Sequence, residues 1–108
     1  MKDNIEIVAV TYDGGGKDIP YFEKTKTFWV YYYVDGKQKK DELLELYPED
    51  GDDLTAQMQK SMIDKIICKN IGPKALAAMR RAGIEVYTFD GAKGAAIRAY
   101  RRSELRPL

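Results

Sequence analysis

The chain has 108 residues, 44% hydrophobic and 32% charged, which is enough to bury the core of a single domain spanning 1–108. It has no histidine and one cysteine. This composition excludes nucleophiles activated by an imidazole base, histidine-based zinc sites and thiolate-rich clusters held by this chain alone.

The start of the sequence and its hydropathy indicate a compartment. Asp3 and Glu6 stand where a secretory signal would be basic and apolar. The longest apolar runs fall short of the ~18–20 residues that cross a bilayer. One cysteine also suits a reducing compartment. We therefore expect a cytoplasmic protein with no membrane partner.

Local patterns in the first part of the chain predict strands. The run "IEIVAV" (5–10) is typical of a strand buried on both faces, and "TYDGGGKD" (11–18) predicts a glycine-rich loop. The aromatic stretch "TFWVYYYV" (27–34) predicts a second strand. Asp35-Gly36 after it is a strong hairpin signal.

The returning segment is less clear. Residues 38–48 predict a third strand ending at Pro48, although "DELLEL" also fits a helical turn. An acidic loop follows, in which Asp52 or Asp53 is expected to cap a short helix over 54–62.

The second half of the chain predicts two strand–helix units. Apolar runs at 64–70 and 84–90 indicate strands. Between them, Gly72-Pro73 marks a helix start and Gly83 a helix end. A last helix is predicted over 92–102, with its apolar residues inward and its arginines outward.

The order of these elements predicts a topology. Strand–helix–strand units force parallel pairing, whereas a hairpin forces antiparallel pairing. We therefore expect a single α/β domain with a mixed five-stranded sheet flanked by helices. Its first strand should pair antiparallel with 27–34 and parallel with 64–69.

The charge is distributed unevenly along the chain. Residues 1–54 carry a net −6 and residues 55–108 a net +7. This predicts a positive side opposite an acidic side from 41–53, or else two solvated faces that differ only in composition. The positive side would be formed by Lys69, Lys74, Arg98, Arg101 and Arg102.

The stretch "IICKNIGPKALAAMRRAGIEVY" (66–87) resembles the dinitrogenase iron–molybdenum cofactor biosynthesis family, the small NifX-type carriers. The shared pattern is an apolar strand, a Cys/Gly turn, Gly-Pro, Ala-Leu and Gly-Ile-x-Val-Tyr. "AAIRAYRRSEL" (95–105) and "IEIVAVTYDGG" (5–15) resemble the closing helix and the first strand with its loop. The resemblance implies a ribonuclease H-like fold.

The resemblance also implies a function. Such a protein would be a non-catalytic carrier or accessory protein in nitrogenase cofactor assembly. It would bind an anionic iron–sulfur-type cluster or cofactor precursor and exchange it with metallocluster donor or acceptor proteins. The implied contacts are Cys68, as the metal ligand, with Lys69, Asn70, Gly72 and Tyr21.

One stretch departs from the family pattern. Where the family has His-Phe-Gly, this chain has Tyr21, Phe22 and Glu23. A phenol is a poorer ligand for a soft cluster than imidazole is. The resemblance therefore supports the fold more strongly than it supports cluster binding.

Cys68 has two interpretations. At the end of a strand, beside a helix start and Lys69, its thiol pKa would be lowered and an anion would be favoured. A free cysteine is more often a small buried apolar residue. Exposure to solvent or a cleft, beside the 11–22 loop and Tyr21, would support the first; full burial would count against a cofactor role.

Three other features have both a functional and a structural interpretation. "GGGK" (14–17) lacks the spacing of a phosphate-binding loop, and Asp64 lies far from the expected ligand edge, which argues against nuclease chemistry. The strand 28–34 could stack nucleic-acid bases or join a homodimer, but core packing is the more usual role. The alternative function is a protein- or nucleic-acid-binding module that kept the fold without the cluster site.

Overall fold

The computed structural model describes residues 4–14 and 17–108. Its strands are β1 (Ile5–Tyr12), β2 (Thr27–Val34), β3 (Lys37–Glu45), β4 (Lys65–Cys68) and β5 (Glu85–Thr88). Its helices are α1 (Gly51–Lys60), α2 (Pro73–Arg81) and α3 (Lys93–Arg101), with a 3-10 turn at Phe22–Lys24. In these ranges, no helix combines the length and apolar character needed to cross a bilayer.

The five strands form one mixed sheet in the order β3-β2-β1-β4-β5. β1 pairs antiparallel with β2 and parallel with β4, and β4 pairs parallel with β5, so the predicted topology is confirmed. The hairpin turn is also confirmed. Asp35 (φ 53°) and Gly36 (φ 81°) take the left-handed conformations that a tight hairpin requires.

The sheet is covered on both faces, because side chains alternate along each strand. Ala9, Phe28 and Ile66 face α1 and α2, which contribute Met58 and Met79 to one core. Val8, Tyr31 and Ile67 face α3, which contributes Ala96 and Ile97 to a second core. β1 is central and its residues 8–10 are fully buried, as expected for a strand covered on both sides.

Two segments differ from the prediction in where they begin or end. The segment after the hairpin, which fitted either a strand or a helical turn, is a strand, β3. It ends at Glu45, before the predicted end at Pro48. The predicted cap at Asp52 or Asp53 is wrong, because α1 begins earlier. Asp50 has the extended backbone that a cap needs, and its carboxylate accepts a 2.8 Å hydrogen bond from the Asp53 N–H.

The predicted separation of charge is also wrong. Lys69 follows the end of β4, whereas Arg101 reaches the Gly36 carbonyl at the opposite edge of the sheet. The reason is that a helix after a strand runs back across the sheet, which carries the α3 arginines away from Lys69. On the other face, acidic Asp52 lines the same cavity as Lys74 and Arg81.

Candidate functional site

The carboxyl ends of β1, β4 and β5 meet at one edge of the sheet, where α/β proteins commonly bind ligands. The segment 17–22 crosses this edge. The Lys69 N–H donates to the Pro20 carbonyl (3.1 Å), and the Phe22 N–H donates to the Asn70 carbonyl (3.0 Å). The expectation that the first loop lies beside the Cys68 turn is therefore confirmed.

These hydrogen bonds bring three of the predicted site residues together at the surface. The Tyr21 side chain is 45% exposed, and the Lys69 Nζ lies 5.4 Å from the centroid of its ring. Asn70 follows directly, with its Oδ1 accepting the Ile71 N–H at 2.9 Å. We call Tyr21, Lys69 and Asn70 the edge surface. The Asp90 Oδ1 lies 4.0 Å from the Lys69 Nζ.

Cys68 is not part of the edge surface. Its side chain is 0% exposed and lies in the core beneath α1 and α2 with Ile66, Phe22 and Met79. The Sγ lies 3.8 Å from the Tyr87 carbonyl oxygen, which accepts from the thiol. The expectation of an accessible Cys68 is therefore wrong. Alternation along β4 turns Ile66 and Cys68 towards the face covered by α1 and α2, and Lys69 follows the end of the strand at the edge.

The electrostatics of Cys68 also oppose a ligand role. Burial, and to a smaller extent the negative charge of Glu23, raise the pKa of the Cys68 thiol to about 12. The predicted lowering by the helix start and Lys69 does not occur, because desolvation of the thiolate outweighs both. At neutral pH Cys68 is a protonated core residue.

Glu23 makes a contact that the sequence analysis missed. The Gly72 N–H, at the start of α2, donates to the Glu23 Oε2 at 2.6 Å. A side chain at position 72 would place its Cβ 3.0 Å from that oxygen, so glycine allows the carboxylate to come close. The one feature of the sequence that pointed to this contact was Glu23, which stands where the family pattern has a glycine. The Gly72 N–H is thus already bonded to a carboxylate of the chain itself, so Gly72 does not add a free donor to the edge surface.

A cavity of about 360 Å³ lies behind Gly72, between the 22–24 turn, the start of α1 and α2. Apolar side chains and small residues form most of its wall. Charged residues of both signs stand around it. The lining includes Phe22, Leu54, Ala75, Ala78 and Met79, with Glu23, Asp52, Lys74 and Arg81 as the charged groups. No sequence pattern indicated this cavity, because it needs three separate segments.

Other candidate features have structural roles. The Asp64 carboxylate accepts the Ile7 N–H at 2.8 Å, at the edge opposite the candidate site. Tyr31 and Tyr33 are buried beneath α3, so they pack in the core and offer no stacking surface. The glycine-loop prediction partly falls on residues 15–16, outside the described ranges. Within those ranges, no three His, Cys, Asp or Glu side chains form a group able to hold a metal ion.

Comparison with known proteins gives related folds. A Methanocaldococcus jannaschii protein provisionally assigned as a dinitrogenase is 24% identical, with a TM-score of 0.75 over 100% of this chain and 97% of that one. A Thermotoga protein provisionally assigned as NifB is 22% identical, with a TM-score of 0.75 over 95% of this chain and 93% of its own. The apo orange protein of Desulfovibrio gigas is 21% identical, with a TM-score of 0.76 over 99% and 96% of the two chains.

These structures are each under 25% identical to this chain, so their likeness concerns the fold. A search of curated protein sequences finds no significant match. The sequence model described as "Dinitrogenase iron-molybdenum cofactor" matches residues 4–103, which is nearly the whole chain. The protein therefore belongs to the dinitrogenase iron–molybdenum cofactor family.

Proposed function

We propose that this protein is a non-catalytic carrier or accessory protein that holds an anionic iron–sulfur-type cluster or cofactor precursor at the edge surface. The contacts are Tyr21, Lys69 and Asn70, whereas the Gly72 N–H is already bonded to the Glu23 carboxylate and is not one of them. Family membership supports this proposal. The observation that carries it is the pair of backbone hydrogen bonds that joins the segments of Tyr21 and Lys69, with the Lys69 ammonium 5.4 Å from the centroid of the exposed Tyr21 ring.

Binding in this proposal relies on charge and hydrogen bonds, because Cys68 is buried. A protein amine and a phenol hold a preformed anion less firmly than thiolates hold iron. Glu23 lies beside Gly72 and opposes an approaching anion. We therefore expect weak, salt-dependent binding, since charges at a surface are screened over ~8 Å at physiological ionic strength. Weak binding suits a carrier that must release its cargo.

The wider role follows from the same proposal. The cargo would be received from and passed to metallocluster proteins of the cytoplasm during nitrogenase cofactor assembly. Such transfer needs no bond breaking by this chain. The raised pKa of the Cys68 thiol, which leaves it a poor nucleophile, is consistent with a non-catalytic role.

Anaerobic loading with ferrous iron and sulfide tests the proposal. Because weakly bound cargo would be lost on desalting, bound iron and visible absorbance are measured by anaerobic equilibrium dialysis at low ionic strength, and both should depend on Lys69. We expect Lys69→Gln to lose most of the bound cluster, whereas Lys60→Gln, an exposed lysine at the end of α1, should load like the parent. Cys68→Ala should also load like the parent. Cluster retention that survives Lys69→Gln but disappears in Cys68→Ala would reject an edge-surface site.

The second candidate is a binding module that kept the fold without the cluster site. The burial of Cys68 and the Glu23 carboxylate at Gly72 favour it, because both disfavour an anionic cluster. The same loading experiment separates the two. A parent protein that binds no iron or sulfide at equilibrium would support the module and reject the carrier.

A further inference from the structure

The cavity behind Gly72 has the size and lining of a small-molecule site. Its volume of about 360 Å³ falls in the range of roughly 300–1,000 Å³ typical of ligand pockets. Phe22 and Met79, both buried, contribute apolar surface from the core, and Leu54 contributes from α1. Ala75 and Ala78 leave the space open on the α2 side. An apolar group placed there would be removed from water on several sides.

The charges around the cavity are not equally compensated. Glu23 accepts the Gly72 N–H, and Asp52 lies in the first turn of α1, where the helix dipole favours an acid. Arg81 lies in the last turn of α2, where the dipole favours a base. Lys74 lies in the first turn of α2, where a base is disfavoured. Across the described residues, Lys74 has no carboxylate within ion-pair distance.

We propose that this cavity binds a small amphipathic carboxylate. Its apolar body packs against Phe22, Leu54 and Met79, and its carboxylate pairs with the Lys74 ammonium. Among the described residues, neither Lys74 nor Arg81 has a carboxylate within ion-pair distance, but Arg81 lies at the helix end that favours a cation. A single negative charge therefore matches Lys74, whereas a head group of higher charge would be repelled by Glu23 and Asp52. This site is separate from the edge surface, and it stands whether or not the protein carries a cluster.

Octanoate is a suitable probe of this proposal. Titration of the full chain, followed by calorimetry and by amide NMR shifts, should show saturable binding, with the largest shifts at residues 72–79 and 51–55. Octanol has the same apolar body without the charge and should bind more weakly. Octylamine should bind most weakly, because its cation faces Lys74. Equal binding of octanoate and octylamine would overturn the proposal, as would an absence of shifts at millimolar octanoate.

Substitutions test the two parts of the site separately. Lys74→Gln should weaken octanoate binding about two- to fivefold, the range expected for one exposed ion pair, and leave octanol binding unchanged. Arg80→Gln removes a charge from the same helix outside the cavity and is the matched control. Glu23→Gln and Asp52→Asn should each strengthen octanoate binding. If Lys74→Gln and Arg80→Gln have the same effect, the carboxylate does not pair with Lys74.

The apolar part is tested by filling the cavity. Ala78→Phe should place a ring in the space and weaken octanoate and octanol alike by about tenfold or more. Ala75→Leu is a milder second variant, in case the larger ring disturbs the packing of α1 against α2. The dispersion of the NMR spectrum reports whether each variant is folded. A folded Ala78→Phe or Ala75→Leu protein that binds octanoate like the parent would place the ligand elsewhere and overturn the proposal.

Discussion

The two faces of the sheet are filled differently. On the α3 face, Tyr31, Tyr33 and Tyr87 are buried, and the Tyr87 and Tyr100 rings pack edge to face with centroids 5.2 Å apart. The α1/α2 face also holds the rings of Phe22 and Phe28, but aliphatic side chains and alanines leave a largely apolar cavity of about 360 Å³ beside them. The α3 side has hollows of about 280 and 320 Å³, which are lined by tyrosine rings together with the charged Glu6, Arg98, Arg101 and Arg102. The comparison shows that the α1/α2 face has room for an apolar group, whereas the room on the α3 side is bounded by rings and charged groups.

Neighbouring isoleucines of β4 give the largest test of this comparison. Ile66 faces α1 and α2, Ile67 faces α3, and both are 0% exposed. Ile66→Ala and Ile67→Ala should each lower the free energy of unfolding by about 2–5 kcal/mol. The loss should be larger for Ile67, because the tyrosine rings in its core relax less around a new cavity. Urea denaturation measures both. Equal losses would show that the two cores are packed alike, and a larger loss for Ile66 would reverse the comparison.

Cys68 gives a pH-dependent test of the α1/α2 face. The thiol pKa is raised from 9.0 to about 12, so the folded state holds the proton more tightly than the unfolded state does. The stabilisation that comes from this raised pKa is complete at pH values below the pKa of the thiol in the unfolded chain. It is lost as pH rises through the window from 9.0 to about 12.

The measurement is the stability of the parent relative to Cys68→Ala. This difference should fall by about 1.4 kcal/mol per pH unit above the unfolded pKa. Buried tyrosines with raised pKa values titrate in both proteins, so their contribution cancels. Urea denaturation at several alkaline pH values gives the two curves, and parallel curves would show that Cys68 is accessible to solvent in the folded protein.

Lys93 gives the smallest test, on the α3 face. Its Nζ lies 4.0 Å from the Trp29 ring centroid and 5.6 Å from that of Tyr12, at the start of α3. Lys93→Met should cost about 0.5 kcal/mol, because the lost cation–π contact exceeds the gain from removing a cation at a helix start. Lys93→Arg, which keeps the contact, is the control. The chain has one tryptophan, so fluorescence of Trp29 reports the site directly. Equal stability of Lys93→Met and the parent would contradict this role.

Much of the fold was predictable because its signals are local. Asp35-Gly36 predicted the hairpin, and Gly72-Pro73 predicted the start of α2, since each pair fixes its own backbone geometry. The connection rules then placed β1 between β2 and β4. The cap of α1 was misplaced because neighbouring acids offer the same side chain, and only the backbone conformation selects Asp50.

The candidate site was less predictable, because it depends on contacts between distant segments. The sequence determined that Tyr21, Lys69 and Asn70 would gather at the carboxyl edge, since parallel neighbouring strands release their loops on the same side. It could not determine that Cys68 is buried. Alternation along β4 leaves open which face the side chain takes, and the burial depends on the packing of Phe22 and α2 over that face. The Glu23–Gly72 hydrogen bond and the cavity behind it likewise arise only in the folded protein. They require segments 49 residues apart in the chain to meet in space.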